Sequence, residues 1–166
     1  SGAVALAQLR KLDSRILGPT RRYHRMLRER TAKTCPGLRL RPVDDVDGDA
    51  GIAFYMDLGT PERAAWFTRA MAAEGIRIGP SSGCHNILHE PIVQSKRMTH
   101  PLLPPFGPGW PGEHVRYDPA SCPRTDQILA TQVAVALSPA YSERDVEDIA
   151  RAIEKVYAAL VSSARA

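Results

Sequence analysis

The sequence predicts an α+β fold: a short, mostly antiparallel sheet covered by helices and preceded by a long kinked helix. Three observations carry that expectation. Segments with helical and strand-like patterning follow one another as helix, strand, helix, strand, long loop, short helix, strand, helix, an order that sorts into layers. The final helical stretch places Val146, Ile149, Ile153, Val156 and Leu160 at the spacing of one helix face, an apolar stripe that needs a partner layer. Between Ile52 and Ile78 a strand, a helix and a second strand form a tight unit with clear start and stop signals.

The opening segment Ala3–Arg30 reads as helix, with Val4, Leu6, Leu9, Leu12, Ile16 and Leu17 in helical register. Gly18-Pro19 interrupts it, because proline lacks an amide and clashes with the preceding turn. Tyr23, Met26 and Leu27 share a face of the continuation. Residues 1–34 are therefore expected to form a linker helix, or two helices in series, leading to a small domain at 35–166. Leu38–Val43 alternates apolar and basic residues as a short strand would. Ile52–Leu58 is the clearest early strand. Thr60-Pro61-Glu62 then supplies a hydroxyl cap, a first-turn proline and an acid at the positive helix end, and Gly75 stops the helix. Ile76–Ile78 is expected as a strand.

Gly79–Pro123 differs in composition. It holds nine of the 14 prolines, five of the 12 glycines and four of the 5 histidines. A loop this long is functional or disordered more often than incidental, and Phe106, Trp110 and Tyr117 favour an ordered one. Pro123–Ala130 reads as a short helix, Val133–Leu137 as a strand and Glu143–Val161 as the capped last helix.

Composition excludes several classes. The 166 residues are 43% hydrophobic and 24% charged, which is ordinary for one globular domain and not for a disordered chain. No apolar run approaches the roughly 20 residues of a bilayer-spanning helix. Ser1–Gln8 lacks the pattern of a signal peptide. Cys35, Cys84 and Cys122 form no CxxC pair and no even set, which points to a reducing, cytoplasmic setting. The net charge of +4 is unevenly placed: Arg10–Lys33 holds nine basic and two acidic residues, a local +7 that leaves −3 elsewhere.

Several stretches invite chemistry. Arg21, Arg22, Arg25, Arg28 and Arg30 could face phosphates, but a charge run is more often a solvated or interface face, and no nucleic-acid motif accompanies it. The acidic turn Asp44–Asp49 lacks the terminal Glu of a calcium loop. Cys84, His85, His89, His100 and His114 are zinc-type donors whose spacing matches no compact zinc pattern, so no metal is expected. Cys84 beside His85 is a weak nucleophile pair, since catalytic partners are seldom sequence neighbours. Of the lysines Lys11, Lys33, Lys96 and Lys155, Lys96 alone lies in a candidate pocket loop.

The motifs in sequence resemble one family. Ser1–Asp13 (SGAVALAQLRKLD) is similar to "LQAAVGLAQLEKLD" of the DegT/StrS-type sugar aminotransferases, pyridoxal-phosphate enzymes with the aspartate-aminotransferase fold (fold type I). Ile52–Leu58 resembles the first strand of that family's small domain, and Ala64–Gly75 with Ile76 its helix ending in "EGI". Cys122–Leu129 resembles "FPxAExLA". Val133–Pro139 with Tyr141-Ser142-Glu143 and Val146 resembles "LSLPLHPxLTxEDV", although ALSPAYS departs from the usual run. The proline-rich insert with Trp110-Pro111 and Tyr117 resembles the cyclitol and aminoglycoside branch.

The resemblance implies the C-terminal part of a transaminase that moves an amino group from glutamine or glutamate to a keto-sugar or keto-cyclitol. It places the Schiff-base lysine and the pyridoxal phosphate site upstream, so this chain is expected to hold no catalytic or cofactor residue and to be inactive alone. The implied partners are an upstream large domain or subunit and a second copy of the full enzyme, with no membrane or nucleic acid. Leu88-His89 resembles a "PLH" that reaches toward the active site, which makes His85, Asn86 and His89 candidates for substrate binding. Arg97 and Arg116 are candidate carboxylate forks. The alternative is a non-catalytic binding or regulatory module derived from that domain.

Overall fold

The chain opens with helix α1 (Gly2–Leu9), a π-helical turn (Asp13–Leu17) and helix α2 (Gly18–Thr34). The computed structural model describes residues 2–80 and 85–163. Two short strands, β1 (Arg39–Leu40) and β2 (Ala53–Asp57), precede helix α3 (Pro61–Ala73) and strand β3 (Gly79–Pro80). The later elements are α4 (Pro91–Gln94), α5 (Pro123–Thr131), strand β4 (Gln132–Ala136) and α6 (Glu143–Ser163). Contacts divide the chain into two units, Ser1–Ser82 with Ala130–Ala166, and Gly83–Leu129.

In the first unit the sheet order is β1-β2-β4-β3, and each pairing is antiparallel. β2 and β4 form its centre, with Phe54 opposite Val135 and Met56 opposite Val133. Because strand side chains alternate in direction, these four residues share one face, and all are buried. Helices α2, α3 and α6 supply the rest of this core with Leu27, Phe67, Met71, Val146 and Ile153. Each such side chain stabilises the fold by about 1.5–3 kcal/mol through burial. The α+β expectation is met at this level.

The edges differ from expectation. The strand expected at Leu38–Val43 pairs only at Arg39–Leu40. The strand expected at Ile76–Ile78 pairs instead at Gly79–Pro80, where Gly79 meets Ala134 and Pro80 meets Val133. Ile78 is buried all the same. Its apolar signal therefore reports burial and not pairing, and the short edge accommodates a proline that cannot donate to a ladder. The centre of the sheet and helices α2, α3, α5 and α6 fall where patterning put them, whereas α4 lies in the stretch expected as a loop. Thr60 caps α3 by accepting from the Arg63 amide at 3.3 Å. Ser142 and Asp145 exchange hydrogen bonds at the start of α6.

Proline breaks the first helix as expected, one turn earlier. Pro19 sits in the first turn of α2, and the turn before it widens so that Gly18 N–H reaches Asp13 O. A wide turn relieves the clash that the proline ring makes with the carbonyl four residues back. Further along, α2 crosses an irregular segment at very close range. Thr20, fully buried, donates its hydroxyl to Ala50 O at 2.6 Å, with Ile16 O as a second acceptor within reach at 2.9 Å. Gly51, at φ +64°, lies so near that a Cβ there would stand 2.8 Å from Thr20 O.

The basic stripe of α2 is consumed within the chain. Arg21 donates to Asp49 O at 2.9 Å and Gly48 O at 3.2 Å, and Arg25 pairs with Asp47 at 3.4 Å. Arg28 donates to Arg41 O at 3.2 Å, and Arg41 in turn pairs with Asp49 at 2.8 Å. Arg22 meets Glu143 at 3.0 Å, and Arg30 grips Glu154 through two bonds of 2.6 and 2.9 Å. All five arginines thus find acceptors on the acidic turn, the β1 region or α6. The bidentate pair is the strongest of these, and it holds the Glu154 carboxyl below the usual range.

The crossing and a control away from it can be tested by substitution. Gly51→Ala adds both a left-handed strain and a backbone clash, and is expected to lower stability by about 2–4 kcal/mol. Gly75→Ala at φ +81° meets nothing within 4 Å and should cost only about 1 kcal/mol, with urea unfolding as the measurement for both variants. His24, 7% exposed, stacks edge-on against Phe54, and burial pushes its pKa below 6.5, opposed by Asp49 and reinforced by Arg28 and Arg41. The folded state resists protonation that the unfolded chain accepts. Stability is therefore full above pH 6.5 and falls as pH drops below it. In His24→Phe the melting temperature should fall less between pH 7 and pH 5; an unchanged pH slope would disprove the assignment.

Candidate functional site

The sequence candidates fall in the Gly83–Leu129 unit, which is short turns tied by side chains. Asn86 opens a single 3-10 turn, Ile87–His89, and its Oδ1 accepts from the Leu88 amide at 3.1 Å. Asn prefers such a position because its short amide mimics a backbone acceptor. Pro91 then starts α4 at a position where its missing amide costs nothing. Gln94 donates to Leu88 O and, at 2.8 Å, to Tyr117 O. Lys96, at φ +50°, donates to Gly112 O at 3.2 Å and Glu113 O at 2.6 Å. Phe106 and Tyr117 meet edge-to-face at 5.9 Å. Among the described residues, the segment expected as a loop holds more local helix than its composition announced.

Asn86 is the distinctive residue here. It is 5% exposed, and its amide Nδ2 is buried with no hydrogen-bond partner. A buried donor left without an acceptor costs about 1–3 kcal/mol, so it calls for an explanation. Its two candidate neighbours are differently placed. His85 pairs through Nε2 with Glu90, and His89 through Nε2 with Asp126 at 3.2 Å. Both imidazoles are about half exposed, at 54% and 48%. A carboxylate on one ring nitrogen orients the ring and leaves the other nitrogen for a ligand. The arrangement offers two oriented imidazoles, chemistry suited to hydroxyl or carboxylate groups, while the Asn86 amide nitrogen is closed off from the surface.

Arg97 and Arg116 are exposed and engage no side-chain acceptor among the described residues, so nothing joins them to Asn86. Glu90 and Asp126, which orient the two histidines, were not among the sequence candidates. Asp126 lies 37 residues beyond His89, and no local pattern links them. Among the described residues no three His, Cys, Asp or Glu side chains gather to hold a metal ion. Cys84 lies outside the described residues. Cys35 is buried, and burial pushes its thiol pKa up, which makes it a poor nucleophile.

Compared with known protein families the chain matches none, and no curated protein is similar to it in sequence.

The two roles of Asn86 separate by substitution. Asn86→Ser keeps a cap acceptor and removes the unpartnered amide, so it should hold stability within about 0.5 kcal/mol of the parent. Asn86→Ala loses the cap and should cost about 1 kcal/mol in urea unfolding. Equal losses in both variants would show that the amide nitrogen has a structural partner.

Proposed function

We propose that this chain forms the small domain of a pyridoxal-phosphate-dependent transaminase that aminates a keto-sugar or keto-cyclitol, with glutamine or glutamate as donor. The observation that carries the reading is the order of family-like motifs along the sequence, from the LAQLRKLD helix through the EGI turn to the strand before α6. The α+β arrangement, with a small antiparallel sheet under helices, is compatible with it. His85, Asn86 and His89 supply hydrogen-bonding groups for substrate hydroxyls in this reading. Arg97 and Arg116, both exposed, are free to form carboxylate forks.

The chain's own lysines do not fit a covalent cofactor site. Lys96 is held by two backbone carbonyls, and Lys155 is bound to Glu74 by two contacts of 2.8 Å. Lys11 and Lys33 are exposed on the surface of the N-terminal helical segment. The reading therefore assigns the cofactor to a large domain on the same or a partner polypeptide. There the cofactor supplies the electron sink for amino transfer. This chain binds and orients substrate and excludes water.

Two measurements test this. Borohydride reduction after incubation with pyridoxal phosphate should leave no lysine stoichiometrically pyridoxylated; a full adduct on Lys96 overturns the reading. Co-expression with the polypeptide encoded in frame or immediately upstream should yield a complex that transfers 15N from glutamine or glutamate to a keto-cyclitol or keto-sugar. An upstream polypeptide with no pyridoxal-phosphate domain contradicts the proposal.

A further inference from the structure

A half-open cavity of about 550 Å³ lies wholly within the sheet-containing unit. It sits where the chain leaves the sheet ladder. Gly79 and Pro80 pair with β4, whereas Ile76 and Arg77 pair with no strand and line the cavity together with Val135 of β4. Ile149 of α6 extends the same apolar wall. Val135 and Ile149 are 2% and 5% exposed, so they form its floor. Small-molecule sites span about 300–1,000 Å³ and combine an apolar lining with a few placed polar groups, and this cavity has both the size and the lining.

The polar groups carry two signs and come from two parts of the chain. Arg77, exposed on the segment after α3, makes no hydrogen bond or ion pair among the described residues. Asp145 and Asp148 stand on α6. Neither is used up by its own partners. Asp145 accepts the Ser142 amide and hydroxyl on Oδ2 alone, each at 2.7 Å. The bond from the Ser142 amide holds its carboxyl below the usual range, which keeps it an anion at neutral pH. Asp148 meets Arg151 through Oδ1 alone. The Tyr141 hydroxyl also has no partner among the described residues, since Tyr23 bonds the Tyr141 carbonyl instead. One guanidinium and two carboxylates thus line a single space without pairing with one another. Opposite charges within contact distance attract strongly, so an unpaired set around one cavity is complementary to a ligand that carries both charges.

We infer that this cavity binds a free α-amino acid with an apolar side chain, its carboxylate forked by Arg77, its ammonium held by Asp148 and Asp145, and its side chain laid on Val135 and Ile149. A guanidinium offers parallel donors that match the two oxygens of a carboxylate. An ammonium is a compact cation with three donors, which suits the open oxygens Asp148 Oδ2 and Asp145 Oδ1. A purely apolar ligand would leave both charged walls unmet, and an acid or an amine alone would meet one of them. The inference does not rest on the transaminase reading.

The test is a 1H–15N NMR titration of the whole chain with L-phenylalanine, beside phenethylamine and hydrocinnamate, at constant ionic strength. Each analogue keeps the ring and lacks one charged group. Saturable shifts are expected at the Arg77, Tyr141 and Asp148 amides with L-phenylalanine, and each analogue should bind about tenfold more weakly. Arg77→Gln should weaken L-phenylalanine by about tenfold and leave phenethylamine unchanged. Asp148→Asn should weaken L-phenylalanine and phenethylamine alike and leave hydrocinnamate unchanged. Both residues are exposed, so both variants are expected to fold. Shifts that grow without saturation, analogues that bind as tightly as L-phenylalanine, or an Arg77→Gln variant that binds it as the parent does overturn the proposal. If either variant does not fold, the shift map and the two analogues on the parent chain decide the matter.

Discussion

The crossing of α2 over the Ala50–Gly51 backbone is the constraint on which the sheet-containing unit depends. Thr20 is buried against that backbone and hydrogen-bonded to it, and only a glycine at 51 leaves room for the approach. Once α2 is seated there, its next turns have fixed neighbours. His24 lies edge-on to Phe54 in β2, and Leu27 enters the core with no exposed surface. Tyr23 donates to the Tyr141 carbonyl, which ties α2 to the turn before α6. One close contact thus sets the position of a helix that meets both the central strand and the last helix.

Electrostatics complete that seating more than they drive it. Exposed ion pairs contribute about 0–1 kcal/mol each, so Arg22–Glu143 and Arg25–Asp47 are minor on their own. The Arg30–Glu154 fork is half sheltered and bidentate, and it links α2 to α6 directly. Arg41 adds a pair to Asp49 and lies 5.0 Å from the Tyr55 ring centre. The value of the network lies in register: it matches the basic face of α2 to an acidic turn whose own amides are capped by Asp45 and Asp49.

The Gly83–Leu129 unit is held differently. It has little apolar interior, and its order comes from side chains that cap carbonyls. Lys96 and Gln94 each bridge two backbone oxygens. Gly112 is packed so that a Cβ would fall 2.4 Å from Pro105 O. Such a segment can carry specific polar groups at its surface, as loops on a rigid frame commonly do. His85 and His89 with their carboxylate partners are the groups it presents.

The sequence by itself determined the long helices and the central strands. Period-3.6 and period-2 patterning report burial directly, and Thr60, Gly75 and Ser142 mark ends through local chemistry that needs no distant partner. It also located the segment rich in histidine and proline and named Asn86 within it. Tertiary structure alone decided the sheet edges, because Ile76–Ile78 is apolar whether it pairs or only packs. It alone placed Asp126 on His89 and the acidic turn on the α2 arginines, contacts between residues far apart in the chain. No spacing along the chain encodes which of these distant groups fold together.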